Sequence, residues 1–145
     1  MKNYLPPGVI AIIVSGFLSC KKDANAGITG NWHLVSDSTY TSGIGPNGKP
    51  GGSTYIGLAA DSYDFMANGH LVAHVAGNID SATYTVQAGD KLEINYSIVH
   101  EFDGSILKGA NTGFDLSVQS SHKAVLTSNV LTPGGRFSRI LVLAK

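Results

Sequence analysis

The feature that most constrains this chain is its alternation of apolar and polar residues with a period of two, interrupted by Gly, Asn and Asp. "DKLEINYSIV" sets Leu92, Ile94, Tyr96 and Ile98 on one side and Lys91, Glu93, Asn95 and Ser97 on the other. "GFDLSVQS" repeats the pattern with Phe114, Leu116 and Val118, and "ATYTVQ" with Tyr84 and Val86. Strands of this kind bury one face and wet the other, as in antiparallel sheet. Turn residues follow at short intervals. Asn68-Gly69 is a hairpin cue in which both central residues adopt positive φ, Gly89-Asp90 separates two alternating runs, and Pro133-Gly134-Gly135 precedes the last one.

The pattern predicts strands near 31–40, 54–60, 61–66, 70–76, 82–87, 91–99, 113–120, 123–131 and 136–144. The pair at 54–66 reads equally as one bent strand, so the count is eight or nine. No window carries a helical stripe. The chain is therefore expected to be all-β, an antiparallel up-and-down meander. A flat meander leaves two open edges, and closure into a barrel removes them. Eight strands enclose space for side chains or one small ligand.

The first 27 residues have a different character. Met1 to Ser19 combines Lys2, an uncharged apolar run from Val9 to Leu18, and a small residue at its end. That is the build of a secretory signal. It is too short for the roughly 20 apolar residues of a membrane span. Phe17-Leu18-Ser19-Cys20 resembles the lipobox of bacterial lipoproteins, in which the cysteine is acylated and becomes the new N-terminus; leucine is more usual where Phe17 stands. Cys20 is the sole cysteine of the chain, so no intramolecular disulfide is available. The resemblance implies a signal peptide at 1–19, a lipidated tether at 20–27 and one domain at 28–145. It implies attachment to a membrane through acylated Cys20. Acyl chains contribute about 0.8 kcal/mol per buried CH₂, so several of them hold a protein stably. No aspartate follows the cysteine directly, which points to the outer membrane of a bacterial envelope.

"ITGNWHLVS" resembles the opening of the lipocalin-like domains of bacterial lipoproteins, with Gly30, one residue, Trp32 and an alternating first strand. "YDFMANGHL", "ATYTVQAGDKLEI" and the closing "RILVLAK" extend the resemblance over residues 28–145. It implies a barrel whose closed end is plugged by the Trp32 indole and covered by an arginine, for which Arg136 and Arg139 are the candidates. It also implies an interior that holds a small, largely apolar molecule. By parity Trp32, Tyr63, Phe65, Tyr84, Tyr96 and Phe114 face inward and are the candidate ligand-binding residues. The ligand reading expects them to line a cavity of about 300 Å³ or more. The competing reading makes them plain core. The barrel would then be a non-catalytic interaction or structural module, whose loops at 41–53 and 100–112 bind an envelope protein or glycan.

Other chemistry finds little support. The formal charge is zero, and without residues 1–19 there are nine basic and ten acidic side chains. No basic stripe suggests nucleic acid. Of five histidines, His70 and His74 would sit roughly 13 Å apart on a strand, too far to share a metal. No nucleophile motif accompanies any histidine, and no cofactor motif is present. "GIGPNG" lacks the following helix that a phosphate loop needs. It reads as part of a Gly-rich loop at 41–53, either a plain connection or a gate over the barrel mouth.

Overall fold

The computed structural model describes residues 27–43, 49–88, 90–100 and 106–145. The expected signal peptide at 1–19, Cys20, most of the tether and the centre of the Gly-rich loop lie outside the described residues. The strands are β1 (Gly30–Ser42), β2 (Gly51–Ile56), β3 (Ser62–Phe65), β4 (His70–Val75), β5 (Asn78–Gln87), β6 (Lys91–His100), β7 (Ile106–Ser120), β8 (Lys123–Thr132) and β9 (Gly135–Ala144). All pairings are antiparallel. From β3 to β9 each strand pairs with the next, and β9 returns to β1 to close the barrel.

β1 carries three neighbours. One of its edges holds β9 along residues 33–42. The other holds β3 at Gly30–His33 and β2 at Ser36–Thr41. The barrel thus has eight strands around its wall and one extra, β2, in line with β3. This explains the ambiguity of 54–66, because β2 and β3 occupy one strand position interrupted by a short crossing. Asp61 organises that crossing. Its carboxylate accepts hydrogen bonds from the Tyr55 hydroxyl (2.6 Å), the Leu58 N–H (2.7 Å) and the Ala76 N–H (3.0 Å).

Several boundaries differ from the sequence expectation. β7 begins at Ile106, so residues 106–112 are strand and not loop. Likewise Thr41, Ser42 and Gly51–Ser53 belong to strands. β5 begins four residues early, at Asn78, because Ala76 (φ 52°) and Gly77 (φ 80°) form a two-residue hairpin with both centres at positive φ. That is the geometry that matches strand twist, here achieved with alanine in the left-handed region. At Asn68-Gly69 the expected hairpin exists, but only Gly69 has positive φ (82°). Gly69 N–H donates to Met66 O at 3.0 Å and Met66 N–H to His70 O at 2.8 Å, so the turn is one residue longer than a two-residue loop.

The core comprises inward positions of the eight wall strands, with Tyr55 of β2 packed against its edge. Leu34, Leu71, Leu92, Ile94, Leu126, Leu141 and Leu143 are fully buried, together with Ile28, Trp32, Phe65 and Tyr84. His70 and His74 are exposed, opposite buried Leu71 and Ala73.

Candidate functional site

The six inward aromatics fall where parity placed them. Trp32, Tyr63, Phe65, Tyr84, Tyr96 and Phe114 are all 5% exposed or less. Phe65 meets Tyr84 edge-on at 5.1 Å between ring centroids, and Tyr63 stacks on Phe65 at 6.3 Å. Such contacts add about 0.5–1.5 kcal/mol each beyond area burial. Almost none of these rings' surface is reachable by a water-sized sphere.

Trp32 seals one end. Its Nε1 donates to Ile28 O, and Tyr84 OH donates to Met66 O at 2.8 Å. Both polar tips are satisfied by backbone, so the rings sit in the core without stranded donors. The cation over the indole is Lys145, its Nζ 4.3 Å from the ring centroid and donating to Thr29 O at 3.2 Å. Neither candidate arginine takes that place: Arg136 is exposed and Arg139 points into the barrel.

A bulge in β1 gives Arg139 its partner there. The β1–β9 register shifts between Leu34 and Ser36, so Val35 is an extra residue. Trp32 and Leu34 face inward before it. After it the inward positions become Asp37, Thr39 and Thr41, facing Leu141, Arg139 and Phe137. Asp37 is 2% exposed. It accepts from Arg139 Nε at 3.0 and 3.2 Å and from Nη2 at 2.6 Å, a forked, charge-assisted contact. Burial by itself would pull the guanidinium down, but the hydrogen bonds and charge of Asp37 reverse this and raise its pKa above the ordinary arginine value.

Around this pair the interior is polar. Ser128 is buried and directly opposite Arg139. Asp80, also buried, accepts from the His100 N–H at 3.2 Å and lies 2.5 Å from its Nδ1. Tyr63 sits within electrostatic reach of Tyr96, Arg139, Asp37 and Asp80; burial is the main cause that holds its phenol well above the usual tyrosine pKa. Val130 follows Ala124, Leu126 and Ser128 on the inward parity of β8, yet it is 46% exposed. The inward row of β8 therefore reaches solvent at Val130.

A cavity of about 350 Å³ lies elsewhere, on the outer face of β5–β8. Outward side chains line it: Gln87, Lys91, Glu93, Asn111, Asp115, Thr127 and Asn129 surround Gly113. A Cβ built on Gly113 would meet nothing within 4 Å. The missing side chain opens the hollow. Of the six aromatics only Phe114 borders it, and its side chain is buried on the other face of the strand. Sequence reasoning missed this site, because a glycine among alternating polar residues carries no signal until its neighbours on β6 and β8 are known. It missed the Asp37–Arg139 pair too, whose members stand 102 residues apart. Among the described residues no three His, Cys, Asp or Glu side chains form a metal-holding group.

The fold defines the class: an all-β, eight-stranded antiparallel up-and-down barrel with one extra strand, compatible with a lipocalin-like fold. No family model and no curated protein matches the chain.

Proposed function

We propose that this chain is a lipid-anchored, non-catalytic binding barrel of the bacterial cell envelope, held at the outer membrane through acylated Cys20, and that it recognises an envelope component on its outside. The lipobox-like Phe17-Leu18-Ser19-Cys20 supports the anchor. One observation carries the choice of surface. The six inward aromatics are packed to 5% exposure or less, whereas the hollow of about 350 Å³ opens on the outer wall. A pocket has to be reachable, and apolar rings buried against each other offer a ligand little surface.

Two measurements test the parts separately. Cys20→Ser should move the protein from the membrane to the soluble fraction, and unchanged sedimentation with membranes would overturn the anchor. A photo-crosslinking residue at Thr127, beside the hollow, should give an adduct whose mass identifies an envelope protein or glycan, while one at exposed Asn31 should not. Equal labelling at both positions, or none at Thr127, would overturn the outer-face reading.

A second reading, a small and largely apolar molecule held inside, draws support from Val130, where the inward row of β8 reaches solvent. Such a molecule would sit among Thr39, Arg139 and Phe137 rather than against Trp32 and Phe65. Mass spectrometry of protein extracted gently from membranes tests it through the presence of a stoichiometric small molecule.

A further inference from the structure

We infer that the hollow at Gly113 is a binding site for a small, neutral, polyhydroxylated molecule of the sugar-ring type, an inference that rests on the outer-face reading above and specifies its ligand chemistry. Its size falls at the lower end of the roughly 300–1,000 Å³ of small-molecule sites, at about 350 Å³. Its floor is backbone at Gly113, and its walls stand on three adjacent strands. Strand spacing near 4.8 Å puts Glu93 on β6 and Asn129 on β8 about 10 Å apart across that floor.

The lining decides against charged ligands. Glu93 accepts from Gln87 Nε2 at 3.2 Å through one oxygen and from Asn111 Nδ2 at 2.7 Å through the other. Asp115 is paired with Lys91. An anion would face both carboxylates. A cation would meet an Asp115 already neutralised by Lys91 and a Glu93 whose two oxygens each hold an amide donor. What the walls still offer is neutral and two-sided. Asn111 spends one amide hydrogen on Glu93 and keeps its carbonyl as an acceptor. Asn129 accepts from the Ser138 hydroxyl at 2.7 Å through Oδ1 and keeps its NH₂ as a donor. Thr127 can donate or accept. Carboxylates and amides already held by neighbours are fixed acceptors and donors, which lowers the ordering cost of binding. A hydroxyl gives one hydrogen and accepts through two lone pairs, so adjacent ring hydroxyls satisfy alternating donors and acceptors. Hydrogen bonds from an exposed wall are the main contacts, which places the dissociation constant at about 1 mM.

The test uses the ¹⁵N-labelled full chain in detergent, titrated with methyl β-glucoside, methyl β-galactoside, N-acetylglucosamine and inositol, and separately with calcium chloride and sodium phosphate. At least one polyol should shift the Gly113 amide and the side-chain amides of Asn111 and Asn129. Gly113→Leu, which fills the hollow from a strand position with room for a Cβ, should weaken that binding by about tenfold or more. Asn129→Ala should do the same while leaving Gly113 in place. The inference is overturned if no polyol moves these signals at roughly 50 mM, well above a millimolar constant. It is equally overturned if calcium or phosphate moves them and the polyols do not, or if Gly113→Leu binds as wild type. If the polyols fail while a crosslinker at Thr127 still captures an envelope protein, the sugar chemistry falls and the outer-face reading stands.

Discussion

The two ends of the barrel interior are built from the same strands and yet differ in kind. Toward Trp32, the inward rows read Leu34–Leu143–Ala124 and Val86–Leu92–Phe114. Toward the mouth, they read Thr39–Arg139–Ser128 and Ala82–Tyr96–Ala110, with Asp37, Asp80 and His100 added. The closed end gains stability from apolar burial. The mouth end carries Asp37 and Arg139 out of water, and their forked contact with each other offsets the lost solvation. A barrel that needed stability alone would have filled both ends alike. The two ends are therefore held by different forces, and each can be perturbed to show this.

The largest expected effect comes from breaking the mouth's ion pair on one side. Asp37→Ala should cost about 3–5 kcal/mol in urea unfolding, because Arg139 is left charged and half-buried without its partner. The double change Asp37→Leu with Arg139→Met should recover most of that loss. If the double variant is as unstable as the single one, the pair is needed for the fold, and the contrast between the ends disappears. At the closed end, Leu143→Ala should cost about 2–5 kcal/mol through lost burial and a cavity, with no compensating partner available.

A smaller effect follows from Asp61, which joins the β2–β3 crossing to the β4–β5 turn. Burial would raise its carboxyl pKa, but the hydrogen bonds from Tyr55, Leu58 and Ala76 outweigh burial and lower it below the ordinary 3.8. Asp61→Asn should destabilise by about 1–3 kcal/mol at neutral pH, since it removes one acceptor. The sign with pH follows from the lowered value. The contribution is fully present above 3.8 and is lost as pH falls through the folded-state pKa. The gap between wild type and variant should therefore narrow in acid, and a gap constant with pH would count against the carboxylate. The smallest effect is at the closed end's lid. Lys145→Met should cost about 0.5–1 kcal/mol, the worth of an exposed cation on an indole, and should shift the Trp32 fluorescence.

Much of this architecture was legible in the sequence. Period-two alternation located six of the nine strands to within a residue or two at both ends, and parity put all six aromatics inside. What escaped was information that resides in a partner strand. The extra residue at Val35 is a bulge only relative to β9, and without it Ser36 would face inward and Asp37 outward. The start of β5 was hidden because Ala76-Gly77 lacks the Asn or Asp that usually advertises such a turn. The indole's cation was sought among arginines because the family resemblance suggested one, while the terminal Lys145 was placed by the β1–β9 register. The hollow at Gly113 was invisible for the same reason, since an absence of side chain becomes a site only when Glu93 and Asn129 flank it.

The β1–β9 contact has a kinetic consequence. Apart from β1–β3, whose partners lie about 30 residues apart, the other joints of the wall link consecutive strands, so hairpins can zip one after another at small entropic cost. The final joint ties Asp37 to Arg139 across about a hundred residues of chain, and loops of that span make closure slow. Folding should thus proceed as an open curled ribbon that becomes a cylinder only in its last step, with the carboxylate and guanidinium acting as the clasp. Until that clasp engages, the two ribbon edges stay exposed, and crowded or overexpressed chains would be caught at that stage.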